Sequence, residues 1–192
     1  MAMTKKPLMG RARKGQYFSF DAIIASIIFI IAISVLSSYW FGVRSVMDSR
    51  SENMYNEVIR ISDMLMSEGT PANWNDVTIP YQGIQQFGLL ANKSTYEVLE
   101  AKANRLNTFL NDPQTDPQYN ATRKRMGLDK YQIYLAIGNN TNTIYYTGYD
   151  PGTPGAKPAN IATATRTAHM KVSGKDTLVT VKVVLWTENF DN

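Results

Sequence analysis

Residues 22–43 read AIIASIIFIIAISVLSSYWFGV, 22 residues without a charge and with only serines as polar interruptions. About 20 helical residues cross a hydrocarbon core of roughly 30 Å, so the run has spanning length. A buried core helix would be shorter and would lack the basic flank that precedes this one. Tyr39 and Trp40 stand near its C-terminal end, where amphipathic rings settle at a membrane interface.

On the N-terminal side, residues 1–17 carry Lys5, Lys6, Arg11, Arg13 and Lys14 and no acidic residue. On the other side Arg44, Arg50 and Arg60 mix with Asp48, Glu52 and Glu57. Excess positive charge marks the cytoplasmic side. The sequence therefore predicts a single-pass protein of the cell membrane, its N-terminus cytoplasmic and everything after Val43 outside. A secretory signal would have an apolar core of about 7–15 residues followed by a small-residue cleavage site. This core is too long, and Ala32-Ile33-Ser34, a loose match to such a site, lies inside it.

The basic leader also accounts for the overall charge. The formal net charge is +4, but beyond residue 14 the chain has 15 basic against 16 acidic side chains. A near-neutral body offers no electrostatic footprint for a phosphate backbone, so nucleic acid is not an expected partner. With no cysteine, disulfides and thiolate metal sites are excluded. His169 is the one histidine and lies in a strand pattern; there is no phosphate-binding loop and no paired His-acid spacing. A base without a positioned nucleophile or ligand partner is a structural residue. Asp112, Asp116 and Asp129 lie near loops without the glycine-centred spacing of a calcium loop. The expectation is a non-enzyme with no cofactor and no metal.

After the apolar run, Met47, Met54, Val58, Ile61 and Leu65 recur at spacings of seven, four, three and four, one buried helical face. Gly69-Thr70-Pro71 ends that helix, which is expected to run to about Glu68. Residues 69–94 are rich in turn formers and read as irregular, with Trp74 as a buried anchor. Ser94-Thr95-Tyr96-Glu97 reads as a capping box opening a helix to about Asn111. Asp112-Pro113 stops it, and a short helix over 119–126 closes at Gly127. Strands follow at 131–137 and 144–147, then a loop at 150–160. Two more strands, 161–172 and 177–187, flank Ser173-Gly174-Lys175-Asp176 as a hairpin. The fold class is α+β: a long N-terminal helix, part membrane span and part amphipathic stalk, packed on a small antiparallel sheet of four strands. The expected divisions are 1–15 as leader, 16–43 as apolar helix, 44–68 as stalk and 69–192 as external domain.

The junction before the apolar run, Arg13-Lys14-Gly15-Gln16 followed by Tyr17-Phe18-Ser19-Phe20-Asp21, resembles the class III signal peptides of archaeal type IV pilin-like proteins. In that family a short basic leader ends in Lys-Gly or Arg-Gly and a prepilin-peptidase-like enzyme cuts at the cytoplasmic face. The apolar helix stays with the mature subunit. Lys14, Gly15, Gln16, Ser19 and Asp21 match the roles of that pattern, although Gln16 to Ser19 is one residue longer than the usual spacing. The cut is thus expected within a residue of the Gly15–Gln16 bond. No glycine-rich archaellin-type start follows. Gly69, Pro71, Asn73 and Trp74, then Phe87-Gly88-Leu89-Leu90, look like an arrangement recurring in euryarchaeal members of the group.

The resemblance implies a pilin-like, adhesion-class structural subunit, with a major or minor role left open. Its partners would be membrane lipid, the processing peptidase and other pilin subunits, in a homo- or hetero-oligomer. Asp21 is expensive at the edge of lipid without a partner. A newly freed α-amine is one candidate; the alternative is that Asp21 caps the helix from the headgroup region. Asn92, Asn120 and Asn139 head N-glycosylation sequons, Asn139 on a hairpin turn being the best exposed. A permanently anchored surface binding protein of the same topology is the alternative function, separated from the first by leader processing. A membrane-bound hydrolase is disfavoured by the scarcity of catalytic side chains.

Overall fold

A computed structural model describes residues 14–111, 116–139 and 142–188, without the side chains of 14–19 and 48–51. The first helix, α1 (Lys14–Leu65), contains the whole apolar run. Within it the chain divides into two compact units, between Ser49 and Arg50.

In the C-terminal unit the sheet is six-stranded and mixed. Its strands are β1 (Leu90–Asn92), β2 (Glu97–Val98), β3 (Gln132–Gly138), β4 (Thr143–Gly148), β5 (Pro158–Val172) and β6 (Lys175–Glu188), in spatial order β1-β2-β5-β6-β3-β4. All neighbours are antiparallel except β2 and β5, which run parallel with Glu97 opposite His169. The four strands expected from sequence are present, and an antiparallel sheet is corrected to a mixed one. The two additions are three and two residues long, too short to show an alternating pattern. The β5–β6 turn is tighter than expected. Ser173 (φ 51) and Gly174 (φ 78) alone form it, and Lys175 already pairs with Val172. Positive φ at both central residues suits the primed turns whose twist matches that of the strands.

One face of the sheet is apolar: Ile133, Leu135 and Ile137 on β3, Val179, Val181, Val183 and Leu185 on β6, Ala162, Ala164, Ala168 and Met170 on β5. Met54, Val58, Ile61 and Leu65 of α1 belong to the same buried cluster, the last three with no exposed surface. Met47, expected in that stripe, is 66% exposed and lies in the other unit. The short alanines of β5 leave room for the helix, and Arg166 of β5 donates from Nε and Nη2 to Asp63 Oδ1 at 3.0 and 2.7 Å.

The helix stops at Leu65, three residues short of Glu68, because its last carbonyls have other donors. Leu89 N–H donates to Leu65 O (2.8 Å) and Leu90 N–H to Ser67 O (2.9 Å). Gly69 then turns the chain at φ +80, where a Cβ would meet the Trp74 ring at 2.6 Å. Gly88 is closer still, its imagined Cβ 2.3 Å from Gly69 N and Ser67 O. Trp74 is fully buried, donates from Nε1 to Gly88 O (2.8 Å) and meets Phe87 edge-on at 5.4 Å. The two glycine-containing stretches of 69–90 thus fold against each other.

Two helices complete the unit, α2 (Glu100–Leu110) and α3 (Pro117–Arg125). The capping box does not form. Asn92 Oδ1 takes both the N–H and the hydroxyl of Ser94, at 2.8 Å each, and Val98 is drawn into β2 beside Met170. The helix opens instead at Glu100, after Leu99, without a side-chain cap. Its α3 neighbour begins two residues before the expected start, with Asp116 Oδ1 accepting from Gln118 N (2.7 Å) and Pro117 in the first turn. Gly127 at φ +78 follows its end.

The irregular segment 66–89 has few strand partners, and cations from the two helices satisfy its carbonyls. Lys102 is 2% exposed, and its Nζ donates to Glu68 O and Leu90 O, both at 2.7 Å. Burial lowers its pKa from the ordinary lysine value. Arg105 donates to Asp76 O and Ile79 O, and Arg125 to Tyr81 O (2.6 Å) and Ile84 O (2.5 Å). From α1, Arg60 reaches Met126 O at 2.7 Å.

Removing part of the α1 stripe is expected to open this core. Leu65→Ala should cost about 2–5 kcal/mol, and Ile61→Asp several kcal/mol by burying an unpaired charge. A soluble fragment beginning near Arg44 should melt cooperatively, whereas one beginning near Gly69 should not. Equal melting of the two would show that the sheet closes without α1.

A second expectation concerns pH. Tyr119 is 1% exposed; its hydroxyl donates to Gln132 Oε1 (2.8 Å) and accepts from Ile133 N (3.3 Å). Burial pushes its pKa up to about 12, against about 10 in an unfolded chain. The folded state therefore keeps a proton that the unfolded state releases. This contribution is whole below about pH 10 and is lost as pH rises through about 12. Urea midpoints should fall over that window and fall less in Tyr119→Phe; parallel slopes would refute the assignment.

Candidate functional site

The N-terminal unit presents apolar side chains to its surroundings. Ile28, Phe29, Ile30, Leu36, Trp40 and Phe41 are each more than 60% exposed, and none of the apolar window is buried. It is one helix long and apolar enough to cross a membrane. Three of the four serines of residues 22–43 bond within the helix. Ser26 donates to Ala22 O, Ser34 to Ile30 O and Ser38 to Ser34 O, at 2.8, 2.8 and 2.9 Å. A hydroxyl satisfied by its own helix brings no unpaired polar group into lipid.

Asp21 is exposed and helical. Lys14, Gly15, Gln16 and Ser19 are helical in backbone; their side chains, and residues 1–13, lie outside the described residues.

The three sequons stand in different settings. Asn92 is exposed at the end of β1, where the turn to β2 begins. Asn120 is exposed on α3, but its partner Thr122 is fully buried and donates to the Tyr81 hydroxyl (3.2 Å). Asn139 is half-buried, contrary to the expectation that its turn exposes it, and its Oδ1 accepts from Asn142 N (2.8 Å). Asn140 and Thr141 lie outside the described residues, as does Asp112.

No group of three His, Cys, Asp or Glu side chains among the described residues is placed to hold a metal ion. His169 is half exposed, its Nδ1 3.7 Å from Asp176 Oδ1 across the β5–β6 hairpin. A cleft of about 800 Å³ beside Asn53 is bordered by Arg123, Asp129, Lys130 and Glu188, charges of both signs. Asp116 caps α3 and serves no site.

Sequence reasoning missed the cations that hold the irregular segment. One signal was available for Lys102, which falls on the same helical face as Leu106 and Leu110. Arg105 and Arg125 gave none, since their partners are backbone carbonyls of a segment without periodicity. Comparison with known protein families, curated proteins and solved structures finds no match to this chain.

If the exposed apolar side chains face lipid, a charge at the middle of the run should weaken retention. Ile31→Arg should cost about 2.5–3.5 kcal/mol of insertion and move protein from the carbonate-resistant membrane pellet to the supernatant. Unchanged retention would count against the bilayer as the solvent of this segment.

Proposed function

We propose that the chain is a structural subunit of an archaeal type IV pilus-like surface filament. The observation that carries this reading is the exposed apolar helix, with Asp21 at its head and the basic Lys14-Gly15-Gln16 junction just before it. Lipid covers the helix while the subunit is stored as a single-pass membrane protein with the C-terminal unit outside. Other pilin subunits cover it in the filament core. A prepilin-peptidase-like enzyme frees the α-amine at or within a residue of Gln16.

Asp21 then has a structural role, since an ionised carboxylate among apolar helices persists only when paired. The freed α-amine, of the same or a neighbouring subunit, supplies the opposite charge. No chemistry is asked of the C-terminal unit, whose side chains are occupied in closing its own core. This reading is supported by the junction motif, the uncovered apolar helix and the scarcity of catalytic groups.

Mass spectrometry of the N-terminal peptide from mature membranes should give a start at or next to Gln16. An intact Met1 or Ala2 would favour the permanently anchored binding protein instead. In cells that process the leader, Asp21→Ala should leave cleavage and insertion unchanged and reduce filament yield in the sheared fraction. A normal yield would remove the pairing role.

A further inference from the structure

We propose that Asn92 is the residue at which the folded C-terminal unit accepts an N-linked glycan, an inference that rests on the external location proposed above. The Asn92-Lys93-Ser94 sequon occupies the turn between β1 and β2, and all three residues are exposed. Ser94 donates both its N–H and its hydroxyl to Asn92 Oδ1, at 2.8 Å each. Both bonds fall on the oxygen, so neither uses the amide nitrogen that would carry the sugar. Lys93 N–H donates to Glu68 Oε1 (3.1 Å) and Thr95 Oγ1 to Asn92 O (3.2 Å), which fix the turn from outside the carboxamide.

The chemistry follows from that arrangement. A carboxamide nitrogen is a poor nucleophile because its lone pair is delocalised onto Oδ1. Hydrogen bonds donated to Oδ1 stabilise the charge that collects there as an N–H proton is lost. The donor is a polyprenyl-phosphate-linked or diphosphate-linked sugar, brought by a membrane oligosaccharyltransferase. The C1–O bond to phosphate breaks, its electron pair leaving with the lipid phosphate, and a C1–Nδ2 bond forms. The amide proton passes to a carboxylate of the transferase.

Neither other sequon offers this to a transferase once the chain is folded. At Asn120 the hydroxyl that the enzyme must recognise belongs to Thr122, which is fully buried and engaged with Tyr81; reaching it means unwinding α3. Asn139 is half-buried, unlike the exposed Asn92, and Asn140 and Thr141 lie outside the described residues.

The test uses the full chain in membrane vesicles with the C-terminal unit outward. A single-subunit oligosaccharyltransferase and a polyprenyl-diphosphate oligosaccharide are added from outside. Digestion after glutamate isolates residues 69–97, avoiding the cut at Lys93 that trypsin would make within the sequon. The expected result is one oligosaccharide on that peptide. Asn92→Gln and Ser94→Ala should each lose it, whereas Ser94→Thr, Asn120→Gln and Asn139→Gln keep it. External protease on a parallel sample reports the location of the unit. No adduct on a chain whose C-terminal unit is digested, or an adduct on Asn120 or Asn139, overturns the inference while leaving the location intact. Protection of the C-terminal unit from external protease in intact cells overturns the proposed location, and the inference with it.

Discussion

The sheet of the C-terminal unit has an apolar face wider than its own two short helices can cover. The last turns of α1 supply what is missing, through Val58, Ile61 and Leu65 at zero exposure. Each such side chain withdraws on the order of 1.5–3 kcal/mol worth of apolar surface from water, which ties the end of α1 to the sheet. The Asp63–Arg166 pair at its margin is exposed and adds orientation more than energy. One helix thus carries two apolar surfaces of different kinds. Up to Met47 the apolar residues surround it, and the large ones are exposed. From Met54 onward they keep to one stripe, as befits a lid on a sheet.

Ending that helix inside the protein leaves carbonyl groups that cannot go unpaired. The solution couples distant parts of the chain. The backbone donor of Leu89 takes the carbonyl of Leu65, that of Leu90 takes Ser67 O just past the helix, and the ammonium of Lys102 bridges Glu68 and Leu90. A buried lysine with one partner would be a liability, but carbonyl oxygens at 2.7 Å on two sides return much of the lost hydration. The same logic extends along residues 76–84, where guanidinium groups take the place of a neighbouring strand. Arginine suits this use because its planar donors can serve two carbonyls at once.

Periodicity was a good guide where a side chain's face decided its fate, although it also drew the exposed Met47 into the buried stripe. The apolar run, the stripe from Met54 to Leu65, the alternation in β3 and β6, and the burial of Trp74 could all be read from residue spacing. What could not be read were features decided by backbone partners. Two-residue β2 exists because His169 and Met170 lie beside it, not because Glu97 and Val98 favour strand. Ser94 left its capping role to bond with Asn92, a local competition that the pattern Ser-x-x-Glu does not reveal. The distinction among the sequons was equally invisible, since it turns on whether a hydroxyl two residues on, such as that of Thr122, faces inward. Around Asp21 the motif was legible, whereas the pairing proposed for it would involve an α-amine that the described residues do not contain.

The place of β6 in the sheet bears on how the protein is made. It is the sixth strand in sequence but pairs with both β5 and β3, and so stands in the middle of the sheet. Until its valines arrive, β3 and β5 have no common neighbour and the α1 stripe has half a surface to cover. Residues 90–98 must likewise wait for β5 before β2 can find its parallel partner. The unit therefore cannot close as it emerges from the ribosome, whereas the apolar helix is complete within the first quarter of synthesis. The order of synthesis thus runs against the order of packing, and the fold assembles only once β6 has been made.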